Sequence, residues 1–138
     1  MQQGELCMRF AILAAVAALS VAVSPAFATD VDPLDRYDII ELVSEQTVEC
    51  RRQKDQSLCS NWFSEQGVVK RIMHDDGERR DGRWFVDDQD RLCILWEAKL
   101  KPLCFLVYEE PDGSYRLFKG EKHITTILGV ESGNSRGL

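Results

Sequence analysis

Gly82-Arg83-Trp84-Phe85-Val86-Asp87-Asp88-Gln89-Asp90-Arg91-Leu92-Cys93-Ile94-Leu95-Trp96-Glu97-Ala98-Lys99-Leu100-Lys101-Pro102-Leu103-Cys104-Phe105 contains three apolar, β-prone segments separated by two polar turns, and its internal spacing decides the fold. A turn at Asp87 to Asp90 sets Trp84 opposite Ile94, Val86 opposite Leu92 and Gly82 opposite Trp96, all on one face. Glycine opposite a large indole leaves room to seat it, so these segments form one packed unit at the centre of the fold. A second turn at Glu97 to Leu100 sets Cys93 directly opposite Cys104. A non-hydrogen-bonded antiparallel pair brings such residues to about 4.5 Å between Cα atoms, which a disulfide spans. Register and cysteine spacing agree, so Cys93–Cys104 is the expected bond.

Outward from this unit the two-residue period continues. Thr47 to Arg51, Asn61 to Glu65, Val68 to Met73, Arg80 to Asp87, Arg91 to Glu97, Pro102 to Glu110, Tyr115 to Lys119 and His123 to Leu128 read as strands. Gln66-Gly67, His74-Asp75-Asp76-Gly77, Asp87 to Asp90 and Pro111-Asp112-Gly113-Ser114 read as turns. The one helical pattern runs from residue 33 to 44. Asp32 is its expected cap, Pro33 its first residue, and Leu34, Tyr37, Ile40 and Val43 its apolar stripe. About eight short strands with no helix between them exclude parallel crossovers and give an antiparallel meander over residues 47 to 128. Closing that meander removes its exposed edges. The expected fold is therefore mostly β: a small up-and-down meander or barrel with one N-terminal helix. The tail from Glu131 to Leu138 is expected to fray.

The N-terminus sets the compartment. Arg9, the apolar run Phe10 to Val23 and the small residues Ala26 and Ala28 have the three-part form of a secretory signal, with cleavage expected after Ala28. The run is too short to span a bilayer comfortably, and no later segment approaches that length. Residues 29–138 then form a single domain, expected to be periplasmic or secreted and monomeric. The net charge of −6 argues against general affinity for nucleic acid or an anionic membrane surface. Four cysteines remain after residue 28: Cys50, Cys59, Cys93 and Cys104. An even set in an exported chain is a disulfide framework. With Cys93 and Cys104 paired by register, Cys50–Cys59 follows by elimination and closes the polar loop Arg51 to Leu58. Each bond contributes about 2.5–3 kcal/mol through the entropy of the unfolded chain. No C-x-x-C spacing supports zinc, and no metal or cofactor is expected.

Gly82-Arg83-Trp84, Leu92-Cys93-Ile94-Leu95-Trp96, Pro102-Leu103-Cys104-Phe105 and Tyr108 resemble the G-x-W … L-C-x-x-W … C-[FY] pattern of small exported proteobacterial proteins, domain-of-unknown-function family 995. The similarity covers Asp81 to Leu117 and is thinner before it, and Cys50 and Cys59 are additions to the pattern. The resemblance implies export, a lipocalin-like β shape and no known activity, so it carries no catalytic residue to this chain. The G-x-W of lipocalins opens the first strand, whereas here it lies mid-chain. The β-barrel inhibitors of lysozyme share size, export and disulfides, but their Ser-Gly-x-x-Tyr loop is absent.

Constellations with chemical potential have plainer readings. His74, Asp75, Asp76 and Glu78 sit where a turn favours Asp for its backbone hydrogen bonds. Asp87, Asp88 and Asp90 lack the glycine and glutamate of a calcium loop, since Leu92 and Ala98 stand at those positions. Only His74 and His123 are available for acid–base work, and no G-x-S-x-G elbow is present. No enzyme is expected. Trp62, Trp84 and Trp96 can line a ligand cavity, although an eight-stranded barrel is narrow enough for side chains to fill it, and filling is the expected use. Arg79, Arg80 and Arg83 form the densest basic group, with Lys70 and Arg71 across a turn. They read as a solvated face that can also meet an anionic partner. Tyr108 completes the candidate binding residues.

These features lead to an exported, non-enzymatic binding module that holds a small apolar ligand or contacts an envelope protein. The alternative is an inhibitor of a hydrolase such as lysozyme, acting through the Arg51–Leu58 loop. A carboxylate-dependent hydrolase ranks last. The registers make a direct prediction: non-reducing peptide mapping returns Cys93 linked to Cys104 and Cys50 linked to Cys59. A crossed link between these pairs contradicts the strand order.

Overall fold

The computed structural model describes residues 31–138, and the expected signal peptide lies outside them. Eight antiparallel strands form a closed barrel in chain order: β1 Gln46–Arg52, β2 Leu58–Phe63, β3 Val68–Met73, β4 Arg79–Val86, β5 Leu92–Trp96, β6 Leu103–Glu109, β7 Tyr115–Lys119 and β8 Lys122–Ser132. Both registers read from sequence are present. Gly82 faces Trp96, Trp84 faces Ile94, and Val86 faces Leu92. Cys93 faces Cys104 with 4.0 Å between Cα atoms, and Cys50 faces Cys59 with 5.0 Å. Both disulfides are formed.

Helix α1, Arg36–Val43, starts three residues later than its sequence pattern suggests. The amide of Leu34 donates to Val107 O at 2.8 Å, which keeps the chain before the helix extended against β6. Asp35 therefore takes the capping role expected of Asp32, accepting from the Asp38 amide at 2.9 Å. The buried pair is Ile39 and Val43, four residues apart, while Tyr37 of the expected stripe is 79% exposed. Arg36 ties the helix to the barrel by donating to Val86 O at 2.7 Å, and its amide donates to Asp90.

Two further boundaries differ from expectation. Strand β2 begins at Leu58, because direct Cys50–Cys59 pairing carries the ladder outward and shortens the loop to Gln53–Ser57. Strand β8 runs on to Ser132, and the tail beyond it does not fray. After a bulge at Glu49/Cys50, β8 pairs with β1 as far as Gln46↔Ser132. The Gly133 amide donates to Glu45 O at 2.8 Å, and the buried Thr47 hydroxyl donates to Gly133 O while accepting from the Ser135 amide. Arg136 pairs with Glu49 at 3.1 Å. Polar groups on the outer face of β1 hold the tail, a long-range contact with no local sequence signature.

Alternation sends Val48, Phe63, Val69, Trp84, Val86 and Val107 into one end of the barrel, where Ile39 and Val43 of α1 cover them. Trp84 packs edge-on to Phe63 with centroids 5.7 Å apart, and its Nε1 donates to Ser64 O at 2.8 Å. The indole is thus buried with its polar atom satisfied. This end forms a solid floor, each fully buried large side chain contributing about 1.5–3 kcal/mol.

Gly82 is the tightest point in the wall. A Cβ there would lie 2.7 Å from Leu95 O and 3.0 Å from Trp96 Cε3. Gly82→Ala should cost about 1–3 kcal/mol as the backbone or the indole yields. Gly129→Ala, where no atom lies within 4 Å of the new carbon, should be close to neutral. Urea midpoints of the two variants test this, and equal midpoints would contradict the packing at Trp96.

Candidate functional site

Above the floor the barrel is hollow. A cavity of about 630 Å³ opens at the end opposite α1, between the β1–β2, β5–β6 and β7–β8 turns. Its lower wall is apolar: Ile94, Phe105, Leu117 and Ile127 project inward, with the Trp96 ring among them. Of the three tryptophans expected to fill the barrel, Trp84 does so in the floor, where Phe63 joins it, whereas Trp96 lines the hollow half and Trp62 lies outside. The difference lies in what the sequence places on the inner face near the mouth: Asn61, Arg71, Arg80 and Thr125 stand where bulky apolar residues would have filled the space. The Cys50–Cys59 bond also faces this space, whereas Cys93 and Cys104 alternate with the inward Leu92, Ile94, Leu103 and Phe105 and so staple the outer face.

The upper wall and mouth are cationic. Seven Lys and Arg side chains line the cavity and, among the described residues, no Asp or Glu does, although the chain carries a net charge of −6. Arg52 and Lys54 come from the β1–β2 hairpin, Lys99 and Lys101 from the β5–β6 turn, and Lys122 from the start of β8. Arg52 is paired with Asp55 at 3.0 Å and Arg80 with Glu78 at 3.5 Å, both acids lying on the turns. Arg71 forms no ion pair among the described residues. It stands directly across the ladder from Arg80, an arrangement of like charges that is destabilising in itself.

Arg71 is also partly desolvated. Burial, followed by the charges of Arg80 and Arg52, lowers its pKa from the usual arginine value, with Glu78 opposing. A guanidinium nevertheless remains protonated. Its Cζ lies 4.5 Å from the centre of the Trp96 ring, a cation–π contact that orients the fork. Its Nε is buried without a hydrogen-bond partner, as is Oδ1 of Asn61, the residue opposite Arg71 on β2. At the mouth, burial holds His123 below the ordinary histidine range, with Arg116 acting in the same direction against the hydrogen bond to Thr125 O. His123 is accordingly neutral near pH 7 and stacks on Phe118.

The structure brings together only some of the residues selected from sequence. Arg80 and Trp96 reach the cavity, and Trp84 lies in the floor beneath it. Trp62, Arg79, Arg83 and Tyr108 alternate with inward residues and lie on the outer wall, where Tyr108 packs edge-on to Phe118. The His74–Asp76 segment is a turn, yet His74 has a partner that the sequence did not suggest. Its Nε2 lies 2.7 Å from Ser60 Oγ and 3.4 Å from Glu49 Oε2. Ser60 is fully buried and donates to Glu49, so a single ring nitrogen serves both neighbours and no nucleophile is presented. Asp87 lies near Cys93 and Cys104, but disulfide-bonded sulfurs offer no thiolates to a metal. The Gln53–Ser57 turn is tied internally, Arg52 Nε donating to Ser57 Oγ and Ser57 to Asp55.

The sequence reading placed Arg71 among surface charges and did not single out Arg52, Lys54, Asn61, Lys99, Lys101 or Lys122. Alternation counted from Val69 carries the information for Arg71, and the β3–β4 register carries it for the pair with Arg80. The arrangement makes a stability prediction. Arg71→Met removes a partly buried, unpaired charge facing a like charge, at the loss of one cation–π contact. The variant should be as stable as the parent or more stable by up to about 1 kcal/mol at low ionic strength. Thermal melts in low salt decide this, since a clear loss of stability would mean that Arg71 is a structural residue.

Comparison with known proteins adds no identity: no family model matches the chain, and no curated protein or solved structure does so either.

Proposed function

We propose that this chain is an exported, non-enzymatic binding module that holds one small apolar ligand inside its barrel. The observation that carries the reading is the half-hollow interior. Its volume of about 630 Å³ falls within the range typical of small-molecule sites, and a few polar groups above apolar walls suit orientation of a bound molecule. Two disulfides suit an oxidising compartment, and no described helix is long and apolar enough to cross a membrane. The motif resemblance to family 995, whose members are small exported proteins, supports the same location. The floor makes the site one-ended, so a ligand enters and leaves through the cationic mouth. A rigid wall with access at one end stores or carries a molecule without any catalytic group.

Titration with N-phenyl-1-naphthylamine, a neutral apolar fluorophore, tests this reading. Emission should rise to saturation at one molecule per chain, and the ligand should raise the melting temperature, because it binds only the folded state. Leu103→Trp, at the half-exposed rim of the cavity, should weaken binding while leaving the barrel folded. Absence of saturable binding to the parent protein would overturn the proposal.

A further inference from the structure

We infer that the ligand is a single-chain amphiphile with an anionic headgroup, its chain along the apolar wall and its carboxylate or phosphate oxygens against Arg71 and Arg80. The inference rests on the barrel being a ligand site and goes on to assign the class of ligand.

Three independent features of the cavity support it. The first is charge selection: the lining holds seven cationic side chains and no described acid, in a chain whose total charge is negative. A solvated face alternates both signs, and the outer face of the adjoining strand does so, with Arg79, Asp81 and Arg83. The inner face does not. The second is the Arg71–Arg80 pair, which faces across the β3–β4 ladder with Arg71 free of any described counter-ion. An anion between two guanidiniums converts their repulsion into two charge-assisted attractions, and the planar fork suits carboxylate or phosphate oxygens. The third is the unused hydrogen-bonding capacity. Arg71 Nε is buried without a partner and the terminal nitrogens of the guanidinium donate to no described residue, so ligand oxygens at those terminal nitrogens use donors the protein leaves open.

The position of these groups gives the ligand its second half. Arg71 is held over Trp96, which also lines the wall beside Ile94 and Phe105, so anion site and apolar wall adjoin on one indole. A free inorganic anion would leave the wall below unfilled, and a neutral hydrocarbon would leave the guanidiniums uncompensated. A linear chain with a charged end satisfies both. The lysines at the rim add attraction at longer range and favour capture of such an anion from solution.

The test uses the disulfide-bonded protein and four probes below their micelle concentrations: decanoate, decanol, decylamine and inorganic phosphate, each followed by calorimetric titration. Decanoate should bind about tenfold or more tightly than decanol, decylamine more weakly than either, and decanoate affinity should fall with added salt. Arg71→Met should abolish the preference for decanoate over decanol, the two then binding with equal affinity. Arg80→Gln should act in the same direction, and its melting curve shows whether it is folded. Equal binding of decanoate and decanol by the parent protein would leave the apolar site standing and overturn the anionic assignment. Binding of none of the decyl probes would overturn both. Phosphate binding as tightly as decanoate and in competition with it would show a free-anion site and overturn the amphiphile.

Discussion

The ladder between β1 and β8, from Gln46↔Ser132 to Arg52↔Thr125, closes the sheet, and closure is what gives these strands an inside. In an open sheet of the same sequence, alternation would only separate two faces, both reachable by water. Two rows of unpaired amides and carbonyls would also be left at its ends. Once β1 is paired on both sides, every second residue of all eight strands points at a common axis. The length of β8 follows from this requirement. It must cover β7 with its first half and β1 with its second, and the bulge at Glu49/Cys50 adjusts the register where the ring closes.

Closure alone would allow a uniformly filled interior. The axis is instead divided, because α1 closes only one end. Ile39 and Val43 extend the apolar layer of Phe63, Trp84 and Val107, and close packing there supplies the dominant stabilisation. The opposite end has four turns and, among the described residues, no covering helix, so water reaches it and cationic side chains can remain hydrated at their tips while their stems pass along the wall. Arg71 lies between these regimes, too deep to be fully hydrated and too far from an acid to be neutralised. Such a residue lowers stability, and a folded chain keeps it only because the floor below is sufficient. The least packed part of the wall is therefore also the part that leaves room and charge uncompensated.

The central hairpins were legible in the sequence because each turn and each pair constrained the other. Gly82 opposite Trp96 and Cys93 opposite Cys104 are short-range statements, settled by two tight turns and by side chains that tolerate few neighbours. Long-range contacts left no such trace. Leu34 bonding to Val107 delayed the helix, and Thr47 and Glu49 bonding to Gly133, Ser135 and Arg136 ordered the tail, each through residues that look ordinary in their own segments. The cavity was hidden for a different reason. Counted by two from Val69 and from Gly82, Arg71 and Arg80 fall on the inner face and Arg79 and Arg83 on the outer. What the count does not show is that the inner face is hollow there, since that depends on where α1 sits along the axis. The β3–β4 register, with Val69 opposite Gly82, places the two arginines face to face.

The two disulfides show how the hollow half remains rigid. One lies on the inner face of the wall and the other on the outer, yet both cross the hairpins whose turns build the mouth: Cys50–Cys59 in β1–β2 and Cys93–Cys104 in β5–β6. Those hairpins carry Arg52 with Lys54 and Lys99 with Lys101, four of the seven cations lining the cavity. Like charges around an open rim repel, and the rim lacks the apolar packing that holds the floor. A covalent cross-link directly in register below each turn limits how far the paired strands can separate, at a point where side-chain packing contributes least. The β3–β4 hairpin has no such bond, and there the turn acid Glu78 partly offsets Arg80 instead. Counter-charge also acts on β1–β2, where Asp55 pairs with Arg52 above the Cys50–Cys59 bond, so covalent closure and local counter-charge together keep a cationic mouth open above a packed floor.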